Sequence, residues 1–370
     1  MKSIATVPGS GTLHLVDRPE PELTAPDDVK LNITRVGVCG TDREIAHGGR
    51  AEAEPGRADL VLGHELLGQV AEVGEAVTSV QPGDLALFLV RRDCGLGLPC
   101  CESRSDQCFT GQYTERGIKA RDGYMTEFVV DREKYLVKVP DDLGDLAVLT
   151  EPLSVGEKAI DEALKIQVAR IPGAAYDTFL QGKKVLVAGL GPIGMLLAFA
   201  LRLRGAEVWG MNRSGPDDPA AKLLAEIGGY HLNGREQNVY DLDETLGPFD
   251  LIFEATGAAQ LMFDLLDALG VNGAYVITGI PEPGSEVKLP GGELMQQLVL
   301  NNQVILGTVN ASKAHNEQAI RDLQTCRERF GDAIDRVITH VVPYSDFQKA
   351  ISERAPGEIK TVLDFTMVGG

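Results

Sequence analysis

A strand, a glycine-rich turn and a helix follow one another over residues 183–203, and this stretch constrains the fold more than any other. Residues 183–188 predict a strand, and the apolar residues 195–203 predict a helix. In the turn, Gly189 permits a tight bend, Gly191 lets backbone amides approach a pyrophosphate, and Gly194 lets the helix lie close to its strand. We therefore predict a dinucleotide site at the helix N-terminus, formed by Gly189, Leu190, Gly191, Pro192, Ile193 and Gly194.

The second predicted strand of this unit, residues 207–211, ends at Asn212, Arg213 and Ser214. A carboxylate at this place would accept hydrogen bonds from the ribose 2′-hydroxyl of NAD, but none of the three residues carries one. The guanidinium of Arg213 suits a 2′-phosphate instead. We therefore predict NADP as the cofactor, with NAD tolerated. Two alternatives stay open: Arg213 as a solvated surface residue, and the glycine turn as an ordinary turn of an α/β sheet.

Composition sets the class of protein. The chain has 370 residues, of which 44% are hydrophobic and 24% charged, enough for a sizeable core and two domains. The formal net charge of -19 argues against nucleic acid and anionic membranes as partners. The uncharged residues 185–201 are too short and too rich in glycine for a membrane span. No signal-peptide pattern opens the chain, so we expect a cytoplasmic protein.

The N-terminal part predicts a β domain that carries zinc-ligand residue types. Residues 28–37, 66–73 and 85–90 predict strands, and Cys39, His64, Glu65 and Glu151 offer a thiolate, an imidazole and carboxylates. Neighbouring residues on a regular strand face opposite sides, so His64 and Glu65 share one ion only where the backbone is irregular. Each residue alone has a simpler explanation: Cys39 and His64 as core residues, and Glu151 as a charge beside a helix predicted over residues 156–171.

Four of the six cysteines lie close together, between residues 94 and 108. Six cysteines are few for a disulfide framework in a chain of this length, so the cluster indicates a metal site. Its members are Cys94, Cys100, Cys101 and Cys108.

The remaining sequence alternates helices and strands. Helices are predicted from residue 218 to 228, from 258 to 269 and from 315 to 329, and strands over residues 249–255, 274–278 and 304–306. Such alternation predicts a doubly wound parallel sheet. A dinucleotide lies at the C-terminal ends of such strands. The predicted cofactor contacts there are Thr256, Ile277, Thr278, Gly279, Thr308 and Val309.

Taken together, these motifs resemble the zinc-dependent medium-chain alcohol dehydrogenase superfamily, and within it the archaeal-type glucose 1-dehydrogenases. The resemblance implies a GroES-like β catalytic domain over residues 1–180, completed by residues 314–370, and a Rossmann domain over residues 181–313. It also implies a homo-oligomer, either a dimer or a tetramer. The resemblance rests on Cys39-Gly40-Thr41-Asp42, Gly63-His64-Glu65, Tyr113-Thr114-Glu115, Glu151-Pro152, Val309-Asn310 and Gly357-Glu358-Ile359-Lys360.

The resemblance also implies roles for individual residues. Cys39 and His64 would bind the catalytic zinc, and Glu65 and Glu151 would complete its shell in some states of the reaction. Thr41 would relay the proton, and Lys360 would be a second cation for the 2′-phosphate. The positions that would bind sugar hydroxyls are Thr41, Glu115, Glu151 and Asn310.

Three departures from the family pattern stand out. Relatives with a structural zinc carry C-x2-C-x2-C-x7-C, whereas Gly97 occupies the second position here. Cys101 could supply the missing thiolate, so a zinc-bound and a metal-free cluster both stay open. Ser154 and Val155 stand where relatives carry a polar substrate contact, and Glu44 replaces a histidine of the usual proton relay.

The sequence thus predicts oxidation of an aldose at C1 to the lactone, with hydride transfer to NAD(P) and D-glucose as the first choice of substrate. One alternative is a zinc-dependent polyol or secondary-alcohol dehydrogenase. An alternative of another class is a nucleotide-binding sensor or structural protein without catalysis.

Overall fold

The computed structural model describes residues 1–367. The chain forms two compact units. The first contains residues 1–154, 310–324 and the described residues from 338 onward, and the second contains residues 155–309 and 325–337. In the described part, none of the helices is both long and apolar enough to cross a membrane.

The first unit is built around the long strand β3, which pairs antiparallel with β5, β10 and β19. Its larger sheet has the strand order β11-β6-β5-β3-β19-β18, and two small sheets have the orders β2-β1-β4 and β7-β8-β9. The strands are β1 (Lys2–Thr6), β2 (Leu13–Asp17), β3 (Asp28–Val38), β4 (Leu60–Val61), β5 (Glu65–Val73), β6 (Leu85–Phe88), β7 (Arg91–Arg92), β8 (Thr114–Arg116), β9 (Ala120–Arg121), β10 (Phe128–Arg132), β11 (Leu136–Val139), β18 (Ile338–Pro343) and β19 (Lys360–Asp364).

The register of β3 places the residues that matter for function. Gly37 lies opposite Glu65 on β5, and Val38 lies opposite Thr361 on β19. The end of β3 therefore meets the start of β5 and the start of β19. Cys39, the residue after β3, lies at this junction.

The second unit contains one six-stranded sheet in which every neighbouring pair is parallel. Its order, β14-β13-β12-β15-β16-β17, is that of a doubly wound nucleotide-binding sheet. The predicted α/β fold is therefore confirmed for this unit. The strands are β12 (Lys184–Ala188), β13 (Glu207–Asn212), β14 (Tyr230–Asn233), β15 (Phe249–Glu254), β16 (Leu269–Ile277) and β17 (Val304–Gly307).

The α-helices differ from the predicted ones mainly at their ends. The helix predicted from residue 156 begins at Thr150, because Pro152 falls in the first turn, where its missing N–H would have no intrahelical partner. The segment predicted as one helix over residues 258–269 is a short α-helix followed by a 3-10 turn. The α-helices are α1 (Gly40–Ala46), α2 (Leu98–Cys101), α3 (Thr150–Arg170), α4 (Pro192–Leu203), α5 (Pro219–Glu226), α6 (Leu242–Leu246), α7 (Ala259–Asp264), α8 (Gly291–Leu300), α9 (Lys313–Phe330) and α10 (Phe347–Ser352).

Candidate active site and nucleotide site

Three residues of the first unit offer one metal-ligand atom each. The ligand atoms of Cys39, His64 and Glu65 all lie within 4.8 Å of one another. His64 and Glu65 are buried, at 4% and 1% exposure. A thiolate, an imidazole and a carboxylate are the donor types that Zn²⁺ accepts. The three residues therefore fit a zinc ion.

An irregular backbone lets His64 and Glu65 face the same point. Gly63 has a φ of +89°, and His64 precedes the first residue of β5, so it lies outside the regular strand. A side chain at residue 63 would also clash with Met125, because a Cβ added to Gly63 would lie 2.6 Å from Cγ of Met125. The condition under which both side chains share one ion is met.

Asp42 supports this group from behind. Its side chain is fully buried. The carboxylate accepts a 2.8 Å hydrogen bond from the Cys39 amide and a 3.2 Å hydrogen bond from the Gly63 amide. Its Oδ1 lies 3.6 Å from Nδ1 of His64. At this distance the Asp42 carboxylate attracts the imidazole electrostatically without a hydrogen bond to it. Asp42 belongs to the motif that begins at Cys39, but no role was predicted for its side chain.

Lys360 contacts the group of Cys39, His64 and Glu65 through Glu65. It is fully buried, forms an ion pair with Glu65, and donates a 2.9 Å hydrogen bond to the carbonyl oxygen of Val38. Only a glycine fits at residue 37, because a Cβ there would overlap the Glu65 carboxylate. The Lys360 ammonium is thus engaged by two groups of the first unit. This engagement does not favour the predicted contact of Lys360 with a 2′-phosphate.

Glu151 lies in the first turn of α3 and stands outside the three-residue group. Burial raises the pKa of its carboxyl to about 7; the charge of His64 acts in the opposite direction, and that of Glu65 raises it further. Glu151 therefore lies within electrostatic range of the group without being one of its closest members.

The residues predicted to bind sugar also belong to the first unit. Asn310 Nδ2 donates a 3.1 Å hydrogen bond to Oε1 of Glu115, so these two distant residues meet. Thr41 lies in α1, and its hydroxyl makes no hydrogen bond with the described residues. A fourth side chain, Arg91, binds Glu115 at 2.8 Å. The contact between Arg91 and Glu115 was not predicted, because nothing in the sequence shows which carboxylate Arg91 faces.

The cysteine cluster contains three of its four predicted members. Sγ of Cys94 lies 3.5 Å from that of Cys100 and 3.6 Å from that of Cys108. Thr110 donates to Sγ of Cys94 at 3.2 Å. Cys101 is exposed and contacts the carbonyl oxygen of Gly95, so the structure places it outside this group. The hydrogen bond between Cys108 and Thr110 lowers the pKa of the Cys108 thiol to about 6.

In the second unit, the glycine turn has the predicted geometry. Gly189 has a φ of +97°, a region that residues with side chains rarely adopt. A Cβ at Gly194 would overlap the carbonyl oxygen of Gly189, so the helix can approach the strand only with glycine at this place. Gly191 precedes α4, and Pro192 is its first residue, whose missing N–H costs no intrahelical bond. Leu190 is buried, and its side chain packs near Gly210.

The other predicted cofactor contacts follow the strand ends of the same sheet. Arg213 is exposed, and no described residue pairs with its guanidinium. Asn212 Oδ1 accepts hydrogen bonds from the Ser214 amide at 3.0 Å and from His231, which fixes the turn. The backbone amides of Thr278, Gly279 and Thr308 donate hydrogen bonds to backbone carbonyls. The amide of Thr256 donates to a side-chain carboxylate oxygen. Ile277 ends β16, and Val309 accepts a 2.9 Å bond from Lys158.

Thr256 owes its position to Glu254, a residue without a predicted role. Glu254 ends β15 and is fully buried. Its Oε1 accepts hydrogen bonds from the amides of Thr256, at 2.6 Å, and Gly257, at 3.2 Å. Its backbone carbonyl accepts from the amides of Thr278 and Gly279. Glu254 thus organises two of the loops at the C-terminal edge of the sheet, one through its side chain and one through its backbone carbonyl.

Comparison with known proteins agrees with this architecture. The family model for the glucose dehydrogenase C-terminus matches residues 144–365, and that for the alcohol dehydrogenase GroES-like domain matches residues 25–141. The fold and the three-residue group define a zinc-dependent medium-chain dehydrogenase. The curated relatives narrow the class: glucose 1-dehydrogenase 1 of Caldivirga maquilingensis is 40% identical over 361 residues, covering 98% of this chain and 97% of the relative. The chain belongs to the glucose 1-dehydrogenase family.

Other relatives give the same result. Glucose 1-dehydrogenase of Thermoproteus tenax is 37% identical over 351 residues, covering 95% of each chain. The solved structure of Haloferax mediterranei glucose dehydrogenase in complex with NADP, Zn and gluconolactone has a TM-score of 0.88 at 29% identity, covering 100% of both chains. The resemblance inferred from the sequence motifs is therefore confirmed.

Proposed function

We propose that this chain is a zinc-dependent glucose 1-dehydrogenase that oxidises D-glucose at C1 to the lactone and transfers the hydride to NADP. The observation that carries the proposal is the convergence of Cys39, His64 and Glu65, of which His64 and Glu65 are buried, in a chain of this family. Zinc bound there supplies a Lewis acid that lowers the pKa of the reacting hydroxyl. The Haloferax relative binds NADP, zinc and gluconolactone, which are the cofactors and the product of this reaction.

The side chains of the first unit have distinct roles in this proposal. Asp42 lies beside the His64 ring and favours its positive charge, and Lys360 forms an ion pair with Glu65. Thr41 would relay the hydroxyl proton by accepting it while passing its own proton on, a role that its unpartnered hydroxyl supports. Glu115 and Asn310 bind sugar hydroxyls as acceptor and donor. Glu65 and Glu151 would complete the zinc ligand shell in some states of the reaction.

For the cofactor, we propose that NADP is preferred and NAD is accepted. Arg213 supports this preference, because its guanidinium is exposed and unpaired among the described residues. It can donate two parallel charge-assisted hydrogen bonds to a 2′-phosphate. No carboxylate follows β13 directly, so the site lacks a group that would repel the phosphate.

The cysteine cluster is proposed as a second, structural zinc site. Cys94, Cys100 and Cys108 supply three thiolates. Structural zinc prefers four ligands, so Thr110, which lies within hydrogen-bond distance of two of these sulfurs, or a water would have to supply the fourth.

Domain limits, assembly and location complete the proposal. We propose a catalytic domain over residues 1–180 and 314–370 and a nucleotide domain over residues 181–313; these limits differ from the two compact units, in which residues 155–180 and 325–337 belong to the second unit. A homo-oligomer is supported by the second unit, where β17 is an edge strand and residues 294–309 carry no charged side chain in a chain of net charge -19. Two such acidic copies can approach through an uncharged face without repulsion. The cysteine usage suits a reducing compartment, which supports the cytoplasm.

A substrate panel tests the proposed activity. Reduction of NADP and NAD is followed by absorbance with D-glucose, other aldoses, sorbitol and simple secondary alcohols. We expect D-glucose with NADP to give the highest kcat/KM and a lactone as the product. Higher kcat/KM for sorbitol or a secondary alcohol than for any aldose would establish a polyol or alcohol dehydrogenase instead.

A further inference from the structure

Arg91 and Glu115 lie directly opposite each other on the antiparallel strands β7 and β8. Residues paired in this way project to the same face of a sheet, where their side chains meet. Nε and Nη2 of Arg91 both donate to Oε1 of Glu115, at 3.1 and 2.8 Å. Arg91 is only 4% exposed, so this ion pair is screened little by solvent.

The guanidinium of Arg91 is held on two further sides. Its Nη1 donates to the backbone carbonyls of Ser105 and Asp106, each at 3.3 Å. The ring of Tyr113 packs on its face, 3.7 Å from the guanidinium carbon. Because both the plane and the direction of the guanidinium are fixed, the geometry of its bonds to Glu115 is fixed as well.

Glu115 uses only one of its two oxygens in these contacts. Oε1 accepts both bonds from Arg91 and a third, at 3.1 Å, from Asn310 Nδ2. Oε2 makes no hydrogen bond with the described residues, and the side chain of Glu115 is 13% exposed. One oxygen is therefore an anchor, and the other is available to a ligand.

We propose that Arg91 is a positioning residue for substrate recognition, which aims Oε2 of Glu115 at a sugar hydroxyl. The proposal rests on the proposed function, in which Glu115 contacts the sugar. It also gives the cysteine cluster a part in substrate binding. Ser105 and Asp106 lie between Cys101 and Cys108, so the loop that carries the thiolates also orients the guanidinium.

Arg92 is a matched control for Arg91. It is the next residue on β7, equally buried at 3%, and it also stacks on a tyrosine ring. As its neighbour on a strand, it faces the other side and pairs with Asp131 at 2.7 Å. A substitution at Arg92 therefore disturbs the same strand and the same kind of buried ion pair without touching Glu115.

The test combines kinetics with a double-mutant cycle. Arg91→Lys keeps the charge but loses the planar fork, so we expect kcat/KM for glucose to fall about tenfold, mainly through KM, with the KM for NADP unchanged. In a Glu115→Gln background, Arg91→Lys should produce no further loss, because it acts through that carboxylate. Arg92→Lys should lower the melting temperature and leave kcat/KM for glucose within about twofold of the wild type.

Tyr113→Leu is a second variant that keeps Arg91 itself. Removing the stacked ring loosens the guanidinium, so we expect a roughly threefold rise in KM for glucose that disappears in the Glu115→Gln background. If the Arg91→Lys protein does not fold, Tyr113→Leu still tests the positioning role of Arg91.

The outcomes separate the inference from the proposed function. Losses that multiply between Arg91→Lys and Glu115→Gln, or between Tyr113→Leu and Glu115→Gln, would overturn the positioning role and leave the sugar contact of Glu115 in place. Unchanged glucose kinetics in Glu115→Gln would overturn both the sugar contact and the role of Arg91. An equal loss of kcat/KM in Arg92→Lys would show that any damage to β7 has this effect, and that Arg91 has no specific role.

Discussion

Lys360 and Arg213 show how burial decides the role of a cation. The ammonium of Lys360 is fully buried and engaged by Glu65 and the Val38 carbonyl, so it stabilises the metal-binding group. Removing such a partner would leave a carboxylate buried and uncompensated. Arg213 is exposed and has no partner among the described residues. Of the two cations, only Arg213 is free to bind a phosphate.

Cofactor preference is therefore predicted to depend on Arg213. Arg213→Ala should reduce kcat/KM for NADP by about tenfold to hundredfold and change that for NAD little, since a charge-assisted contact is worth about 1.5 to 3 kcal/mol. The measurement is the ratio of the two kcat/KM values with glucose in excess. Lys222→Ala, on the exposed side of α5, is the control. A ratio that does not move would assign Arg213 to the solvated surface.

At the scale of elements, β7, β8 and β10 are joined by one buried carboxylate. Asp131 of β10 binds Arg92 of β7 at 2.7 Å and also pairs with Arg116 of β8. Burial alone would raise the pKa of Asp131, but Arg92 and Arg116 outweigh it and hold that pKa well below its usual range. The small sheet and the larger sheet are thus connected by charge as well as by packing.

Asp131→Asn should destabilise the protein by about 3 to 5 kcal/mol, because it leaves two guanidinium groups without their carboxylate. The folded-state pKa lies below the unfolded one, so the contribution of Asp131 is complete above about pH 4 and is lost as the pH falls toward the folded value. Free energies of unfolding of both proteins, measured by denaturant from pH 7 to acid, check this. A difference that grows as the pH falls would contradict the sign.

The cysteine cluster gives a prediction at the same scale. Zinc analysis of the wild type should find two ions per chain, one at Cys39, His64 and Glu65 and one at the cluster. Cys100→Ser should lose one ion and lower the melting temperature, because a structural zinc contributes directly to folding. Cys101→Ser should keep both ions, since its thiol lies outside the group. Loss of zinc in Cys101→Ser, with retention in Cys100→Ser, would reverse this assignment.

For the whole molecule, the sequence predicted best what local backbone chemistry determines. Gly189 and Gly194 mark a turn that only glycine permits, and the Asp218-Pro219 pair begins a helix where a cap and a first-turn proline belong. These signals involve residues close together in the chain. They were sufficient for the α/β fold of the second unit and for its glycine turn, whereas the family followed from the resemblance of the longer motifs.

What the sequence did not predict depends on residues far apart in the chain. The pairing of β3 with β19 brings Lys360 to Glu65, and the pairing of β7 with β8 brings Arg91 to Glu115. Neither register can be read from one sequence, because the alternating pattern of a strand fixes its faces but not its neighbour. The position of Cys101 likewise depends on the path of a loop.

The central claim is that the group of Cys39, His64 and Glu65 holds the zinc required for glucose oxidation. The most direct measurement compares wild type and His64→Ala for zinc content, NADP binding and NADPH formation from D-glucose. We expect the variant to lose one zinc ion, to bind NADP as the wild type does, and to lose kcat by at least about a thousandfold, since several kcal/mol of transition-state stabilisation disappear. Wild-type turnover of glucose in a His64→Ala protein that lacks this ion would contradict the account.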